Sequence, residues 1–225
     1  RSVDRGQTWI DLPSIRSAPG HEQWYLPYSP RAGAVRSLTA VPGLLGTLYA
    51  GIEQGGVLFT GDRGDSWTLL NNTVHPDVHQ VIVSANGGSI VLAATGGGIF
   101  QSMDGGKLWV RFEPNYTRAL VQQPGHPYII FAGPAARVGH LGRVERSRDG
   151  GSTWESWSDG LSVPLPGMVE QLVASPGTLD DLGGLFAVLS SGEVCHSDFD
   201  RPDWTPIVCG GLPHVNVVDL AVDNK

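Results

Sequence analysis

The sequence predicts an all-β fold built from a repeated four-stranded unit. Three observations carry that expectation. An octapeptide ending in Trp recurs along the chain, and a short apolar segment recurs in phase with it. Turn-favouring residues are abundant, with 31 Gly and 16 Pro among 225 residues. That is about a fifth of the chain, nearly twice the usual share, and it argues against a helical bundle. Charged residues make up 16% and hydrophobic residues 40%, and the mean hydropathy is -0.06. A chain of this length and composition packs a core that removes roughly 70–75% of its unfolded surface from water.

The octapeptide first runs from Ser2 to Trp9 as SVDRGQTW. It returns at Thr60–Trp67, Ser102–Trp109 and Ser147–Trp154. A worn copy, Ser197–Trp204, has Phe199 where the Asp belongs. Five of the 7 tryptophans close one of these units. The apolar segments Val35–Thr39, Val78–Ile82, Thr117–Val121, Val169–Val173 and Val217–Ala221 align without gaps on Leu38, Val81, Leu120, Leu172 and Leu220. The first four precede β-rich runs at Thr47–Ile52, Ile90–Ala94, Tyr128–Ala132 and Leu185–Leu189. Another short run leads into the octapeptide, and the Trp opens a last strand such as Trp67–Leu70. Four strands in every roughly 40–50 residues make a β-propeller blade.

The expected architecture is a single domain over 1–225, with antiparallel four-stranded blades at 34–70, 77–113, 116–157 and 168–208. A fifth blade is expected from 215–225 together with 1–12, so that both termini close the ring. That closing unit is about fifteen residues shorter than the others, roughly a strand and a half. It is a thin blade, or it lacks terminal residues, or the chain is a piece of a larger propeller. The chain opens at Arg1 without a Met or a signal-like apolar segment, as a processed or trimmed product would.

The chemistry of the octapeptide is that of a hairpin turn between the third and fourth strands. Its Asp accepts backbone N–H bonds across the turn, its Gly supplies a positive φ, and its Trp packs between blades. Asp4, Asp62, Asp104 and Asp149, with Trp9, Trp67, Trp109, Trp154 and Trp204, are accordingly read as structural. The pattern S-x-D-x-G-x-T-W is the Asp-box, and nearly the whole chain resembles the BNR-repeat propellers. These include sialidases, family 74 xyloglucanases, sortilin-type receptors and photosystem II assembly factors. The resemblance implies blade architecture more than activity. It also implies a secreted or otherwise extracytoplasmic location, since such proteins are commonly exposed.

Propeller topology places the box turns and first-to-second-strand turns on one face. The second-to-third-strand turns and the blade connections share the other, which in the family is the ligand face. Two long excursions map there. One is Pro13–Gly33, with Trp24, Tyr25 and Tyr28 among its aromatics, and the other is Gly133–Gly142, with Arg137 and His140. The alignment column after the first apolar position reads Arg36, His79, Arg118, Glu170 and Val218, so these residues ring the channel entrance. Two Arg and a His can hold a carboxylate or phosphate, with Glu170 as partner or acid/base. The competing reading is a solvated ring that neutralises itself. Only Glu170 offsets the cations within the column, which favours the anion site.

Two function classes remain. The first is a non-catalytic binding or scaffold propeller with a protein or carbohydrate ligand, expected to be a monomer. The alternative is a glycoside hydrolase, which needs two carboxylates flanking the bond. Glu53 and Glu170 are the pair nominated. The F/Y-R-I-P segment of sialidases is absent, since Arg111–Pro114 has the wrong order, and 225 residues are few for a sialidase or xyloglucanase. A net charge of -7 removes the electrostatic basis for general nucleic-acid binding. No apolar run reaches the ~18 residues of a membrane helix. No cofactor or metal is expected: Pro76 spoils the His75–His79 pair as a zinc motif, and Gly96–Gly98 lacks the Lys and helix of a phosphate cradle. Cys195 and Cys209 are either one disulfide or two thiols.

Overall fold

The computed structural model describes residues 1–24, 26, 34–83, 88–177 and 183–207. Its architecture is the predicted one, a propeller-type array of antiparallel β-sheets. Blade one holds β1 (Val35–Ala40), β2 (Leu48–Ile52), β3 (Gly56–Thr60) and β4 (Thr68–Leu69). Blade two holds β5 (Val78–Val83), β6 (Val91–Thr95), β7 (Gly98–Ser102) and β8 (Val110–Glu113). Blade three holds β9 (Tyr116–Gln122), β10 (Ile130–Arg137), β12 (Glu145–Ser147) and β13 (Glu155–Ser156), with β11 (His140–Gly142) as an extra strand. Blade four holds β14 (Val169–Ser175), β15 (Gly184–Leu189), β16 (Val194–Ser197) and β17 (Thr205–Ile207).

Burial explains the sequence pattern of each strand. β6 and β7 are buried at every position because blades cover both of their faces, so they read as continuous apolar runs. The outermost strands β4, β8, β13 and β17 are short and largely exposed. An isolated four-stranded blade is thin, and its stability comes from the apolar layers it shares with neighbours. Tyr49 and Val57 of blade one pack with Val81, Phe100 and Trp109 of blade two. Leu92 and Ile99 meet Leu120 and Ile130 between blades two and three. Phe131 and Trp157 meet Leu172, Leu185 and Trp204 between blades three and four.

Hydrogen bonds fix the two faces. Box turns bond to first-to-second-strand turns of their own blade, through Arg63 N to Gly46 O, Gly105 N to Ser89 O and Gly150 N to Tyr128 O. On the opposite face, second-to-third-strand turns bond to blade connections, through Gly56 N to Pro76 O, Gly142 N to Gly167 O and Ser190 N to Met168 O.

The octapeptides share one hydrogen-bond scheme. Asp62 Oδ1 accepts from the Ser66 amide at 2.9 Å, its Oδ2 from the Ser66 hydroxyl at 2.5 Å, and Thr60 Oγ1 accepts from Gly64 N at 3.0 Å. Asp4 and Asp149 are held the same way, by Thr8 and Thr153, whereas Asp104 keeps the amide bond from Leu108 and has no hydroxyl donor at that position. The tryptophans divide. Trp109 and Trp204 donate Nε1–H to the preceding blade, at Leu70 O (2.9 Å) and Trp157 O (2.8 Å). Trp9 and Trp154 turn back to their own boxes, at Gly6 O and Gly151 O. Interblade donation is thus not uniform. In the worn copy, Phe199 packs on Phe131 at 6.0 Å, and Trp204 stays buried without an Asp beneath it.

Two expectations change. Gly133–Gly142 is not a loop but the tip of a β-hairpin, with Arg137 paired to His140 across β10 and β11. The described part of Pro13–Gly33, residues 13–24 and 26, does not stay wholly on the ligand face. Ser14 Oγ donates to Gly64 O on the box face, and two 3₁₀ turns, Pro13–Ser17 and His21–Gln23, then carry the chain across the flank of blade one. The physical reason is the apolar surface waiting there: Ala18 and Trp24 cover Ala50, Ile52 and Leu58. Residues 27–33 and the closing segment 215–225 lie outside the described residues, as does Cys209, while Cys195 is buried.

Candidate functional site

The inner strands begin at the ligand face, and each begins with a break in register. β1 pairs Val35 with Ile52 but Ser37 with Gly51, β5 pairs Val78 with Thr95 but Gln80 with Ala94, and β14 pairs Val169 with Leu189 but Gln171 with Val188. β9 shifts between Thr117 and Leu120, opposite Pro134 and Ala132. The residue added at each β-bulge is Arg36, His79 or Glu170, and Arg118 lies in the fourth shift. A bulge re-aims one side chain without ending the strand. The column read from the alignment is therefore a ring of bulged residues.

The bulge also strands an amide on the channel side of the next strand, and the following residue satisfies two of these. Ser37 Oγ accepts from Val81 N at 3.0 Å, and Gln80 Oε1 accepts from Leu120 N at 2.8 Å. These contacts pin successive inner strands to each other and set the spacing of the ring.

The column side chains are not lone cations. Arg36 reaches Glu53 Oε2 at 2.5 Å through Nε and Nη2. Arg118 Nη1 donates to Glu170 Oε2 at 2.5 Å, and its Nε donates to Tyr116 Oη at 2.9 Å. His79 Nδ1 lies 2.7 Å from Thr117 O. A carbonyl only accepts, so Nδ1 carries a proton and Nε2 is the nitrogen facing Asp77 Oδ1 (3.3 Å) and Tyr116 Oη (3.4 Å). The result is a chain, Asp77–His79–Tyr116–Arg118–Glu170, that runs across blades two, three and four.

Electrostatics follow from these partners. Burial opposes the Asp77 charge, but His79, His75 and Arg118 outweigh it and hold the carboxyl below its ordinary range. Burial pushes the Tyr116 phenol up, so it is neutral at pH 7. Burial also works against the Arg118 charge, yet Glu170 and Tyr116 overcome it and the guanidinium stays charged. The expectation of cations without matching acids does not hold. Glu53 and Asp77 supply the acids from outside the column, where alignment does not look.

A second cluster lies where blades two and three meet. Arg143 donates to Glu145 Oε1 at 2.6 Å and stands 3.7 Å from Glu113 Oε2. Burial pushes the Glu145 carboxyl up against the pull of Arg143, and its Oε2 is buried without a hydrogen-bond partner.

The other candidates separate. Trp24 is 7% exposed and belongs to the core of the blade-one flank, so it is not a ligand-facing aromatic. Tyr25 and Tyr28 lie outside the described residues. Glu53 and Glu170 are each engaged by an Arg, whereas a hydrolase needs both carboxyl groups turned to the scissile bond. Sequence reasoning missed Asp77 and Tyr116. Both stand two residues before the column, but there Ala34 and Met168 occupy the other two blades, so no repeat pattern marks the position. Among the described residues no group of three or more His, Cys, Asp or Glu is placed to hold a metal ion, and no helix is long and apolar enough to cross a membrane.

No protein-family profile matches the chain, and no curated protein does so. Solved structures do. An ancestral GH74 enzyme superposes with a TM-score of 0.67 at 21% identity, over 78% of this chain and 24% of that one. The GH74 xyloglucanase of Xanthomonas campestris gives 0.60 at 14% identity, over 80% and 30%. YCF48 bound to D1 peptide gives 0.55 at 18% identity, over 80% and 59%. The chain thus spans less than two thirds of each of these proteins. At such identities the likeness establishes the β-propeller fold, and what the fold does here rests on the residues at its mouth.

Proposed function

We propose that the chain is a non-catalytic binding propeller of the BNR/Asp-box type, acting outside the cytoplasm, with its ligand at the face where the inner strands begin. One observation carries this reading: the polar residues of that face are matched into closed ion pairs. Arg36 pairs with Glu53 and Arg118 with Glu170, each at 2.5 Å, so neither nominated carboxylate stands unpaired. Such a surface recognises by hydrogen bonding. Tyr116 and Arg118 present donors, and the exposed Arg137 and His140 of the β10–β11 hairpin extend the same face. A protein or carbohydrate ligand fits this chemistry, and the fold neighbour YCF48 has been solved with a peptide.

The hydrolase alternative retains one specific observation, the buried Glu145 carboxyl with Glu113 beside it. The deciding experiment offers xyloglucan, a sialoside and a library of extended peptides, and reads thermal stabilisation and product release together. Saturable binding without turnover, weakened by Arg118→Ala and by Tyr116→Phe, is the expected result. Turnover abolished by Glu145→Gln or Glu170→Gln would establish the hydrolase instead.

A further inference from the structure

Blade three has an extra strand, β11, and is followed by the longest of the described blade connections, residues 157–168 against 70–77 and 114–115. The two additions are joined. Gly142 and Leu165 form an antiparallel bridge, with Gly142 N donating to Gly167 O at 2.9 Å and Leu165 N to Gly142 O at 2.8 Å. His140 Nδ1 lies 3.1 Å from Pro166 O. A Cβ on Gly142 would stand 2.7 Å from Met168 Cα, so the close approach needs a glycine. β11 thus fixes the course of the connection beside blade four.

Between the connection and blade four lies a cavity of about 300 Å³, at the lower end of the roughly 300–1,000 Å³ of small-molecule sites. Its floor is apolar and buried, formed by Leu165, Leu189, Cys195 and Trp204. Its rim carries Ser191 and Glu193, and none of its lining residues is basic. Glu193 accepts a hydrogen bond from Ser191 Oγ at 2.9 Å. Unlike Glu53 and Glu170, it has no ion-pair partner among the described residues. Burial pushes the Cys195 thiol up, and the Glu193 charge pushes it further. The thiol therefore stays protonated, and the field of the carboxylate reaches the apolar floor.

We propose that this cavity binds a small organic cation, an ammonium group carried on a compact apolar body. The body packs against Leu165, Leu189 and Trp204, and the ammonium stands at Glu193. Burial on the floor supplies affinity, and the unmatched carboxylate selects the sign of the ligand's charge. A lysine side chain offers the same ammonium, but its unbranched four-carbon stem fills such a cavity less completely than a ring does. No lining residue belongs to the column or to its partners, so the inference stands apart from the reading of the channel mouth.

The test is an NMR titration of the full chain with cyclohexylmethylammonium, cyclohexylmethanol and cyclohexanecarboxylate, read at the Leu165 and Leu189 methyls and the Trp204 indole. The ammonium should give saturable shifts at all three residues and bind about two- to fivefold more tightly than the alcohol, as for an exposed charge pair. The carboxylate should bind least. Glu193 is exposed, so Glu193→Gln should keep the fold and remove the preference for the ammonium, and Glu193→Lys should reverse it. Equal affinities for the three ligands in the parent, or no saturable shift at these residues, would overturn the inference. N-acetyl-lysine methylamide is the last arm. Tighter binding than the cyclohexyl amine would overturn the small molecule as occupant and assign the cavity to a lysine side chain.

Discussion

Trp109 and Trp9 end the same octapeptide, and in both the Asp accepts the amide four residues on, yet one ring is 3% exposed and the other 73%. Trp109 has a blade on either side and sends its Nε1–H into the preceding one. Trp9 ends a stub on the flank of blade one and bonds only to its own turn. The comparison separates two things that the repeat merges. The turn is made locally by Asp, Ser or Thr, and Gly. The value of the Trp is set by what stands next to it.

The largest effect should come from Trp109→Ala, which opens a cavity between two blades and should cost about 3–5 kcal/mol in chemical denaturation. A loss below about 1 kcal/mol would mean the ring is not interblade packing. Gly106→Ala should come next. It combines a φ of +93° with a Cβ placed 2.7 Å from Leu70 Cδ1, whereas Gly6→Ala at φ +85° would meet Trp9 only at 3.8 Å. The two should therefore differ by about 1–2 kcal/mol through overpacking alone, measured as a difference in denaturation midpoint. Equal costs would show that backbone strain dominates both.

Acid should not distinguish the boxes. The Thr8 hydroxyl and amide pull the Asp4 carboxyl down to about 2, and Ser66 does the same for Asp62. These groups are depressed in the fold, so their contribution is complete above the ordinary value of 3.8 and is lost as pH falls through about 2. Carboxyl titration by NMR should find both groups near that value. A normal Asp4 beside a depressed Asp62 would mean that the stub's turn needs the burial it lacks. The smallest effect belongs to Trp9→Ala, within about 0.5–1 kcal/mol as for an exposed site, and a thermal melt indistinguishable from the parent is the expected outcome.

Much of this was legible in the sequence because propeller repeats write local chemistry at fixed spacing. The octapeptides marked the turns, and the anchors marked the inner strands. The Gly133–Gly142 hairpin was not legible, because Gly133 and Pro134 read as a break while pairing carries β10 on to Arg137. Trp24 looked like a ligand aromatic because nothing in a loop sequence reveals an uncovered blade face waiting beneath it.

By itself the sequence determined the strand count per unit, the box hydrogen bonds and the column Arg36, His79, Arg118 and Glu170, all of which depend on residues within one repeat. Only the tertiary structure decided that these column residues are bulged, and that Arg118 and Tyr116 are joined to His79 and Glu170 across three blades. It likewise decided that Glu53 and Asp77 neutralise the ring. The reason is distance along the chain. Glu170 and Arg118 lie in different repeats, and their charges meet only when the blades stack around a common axis.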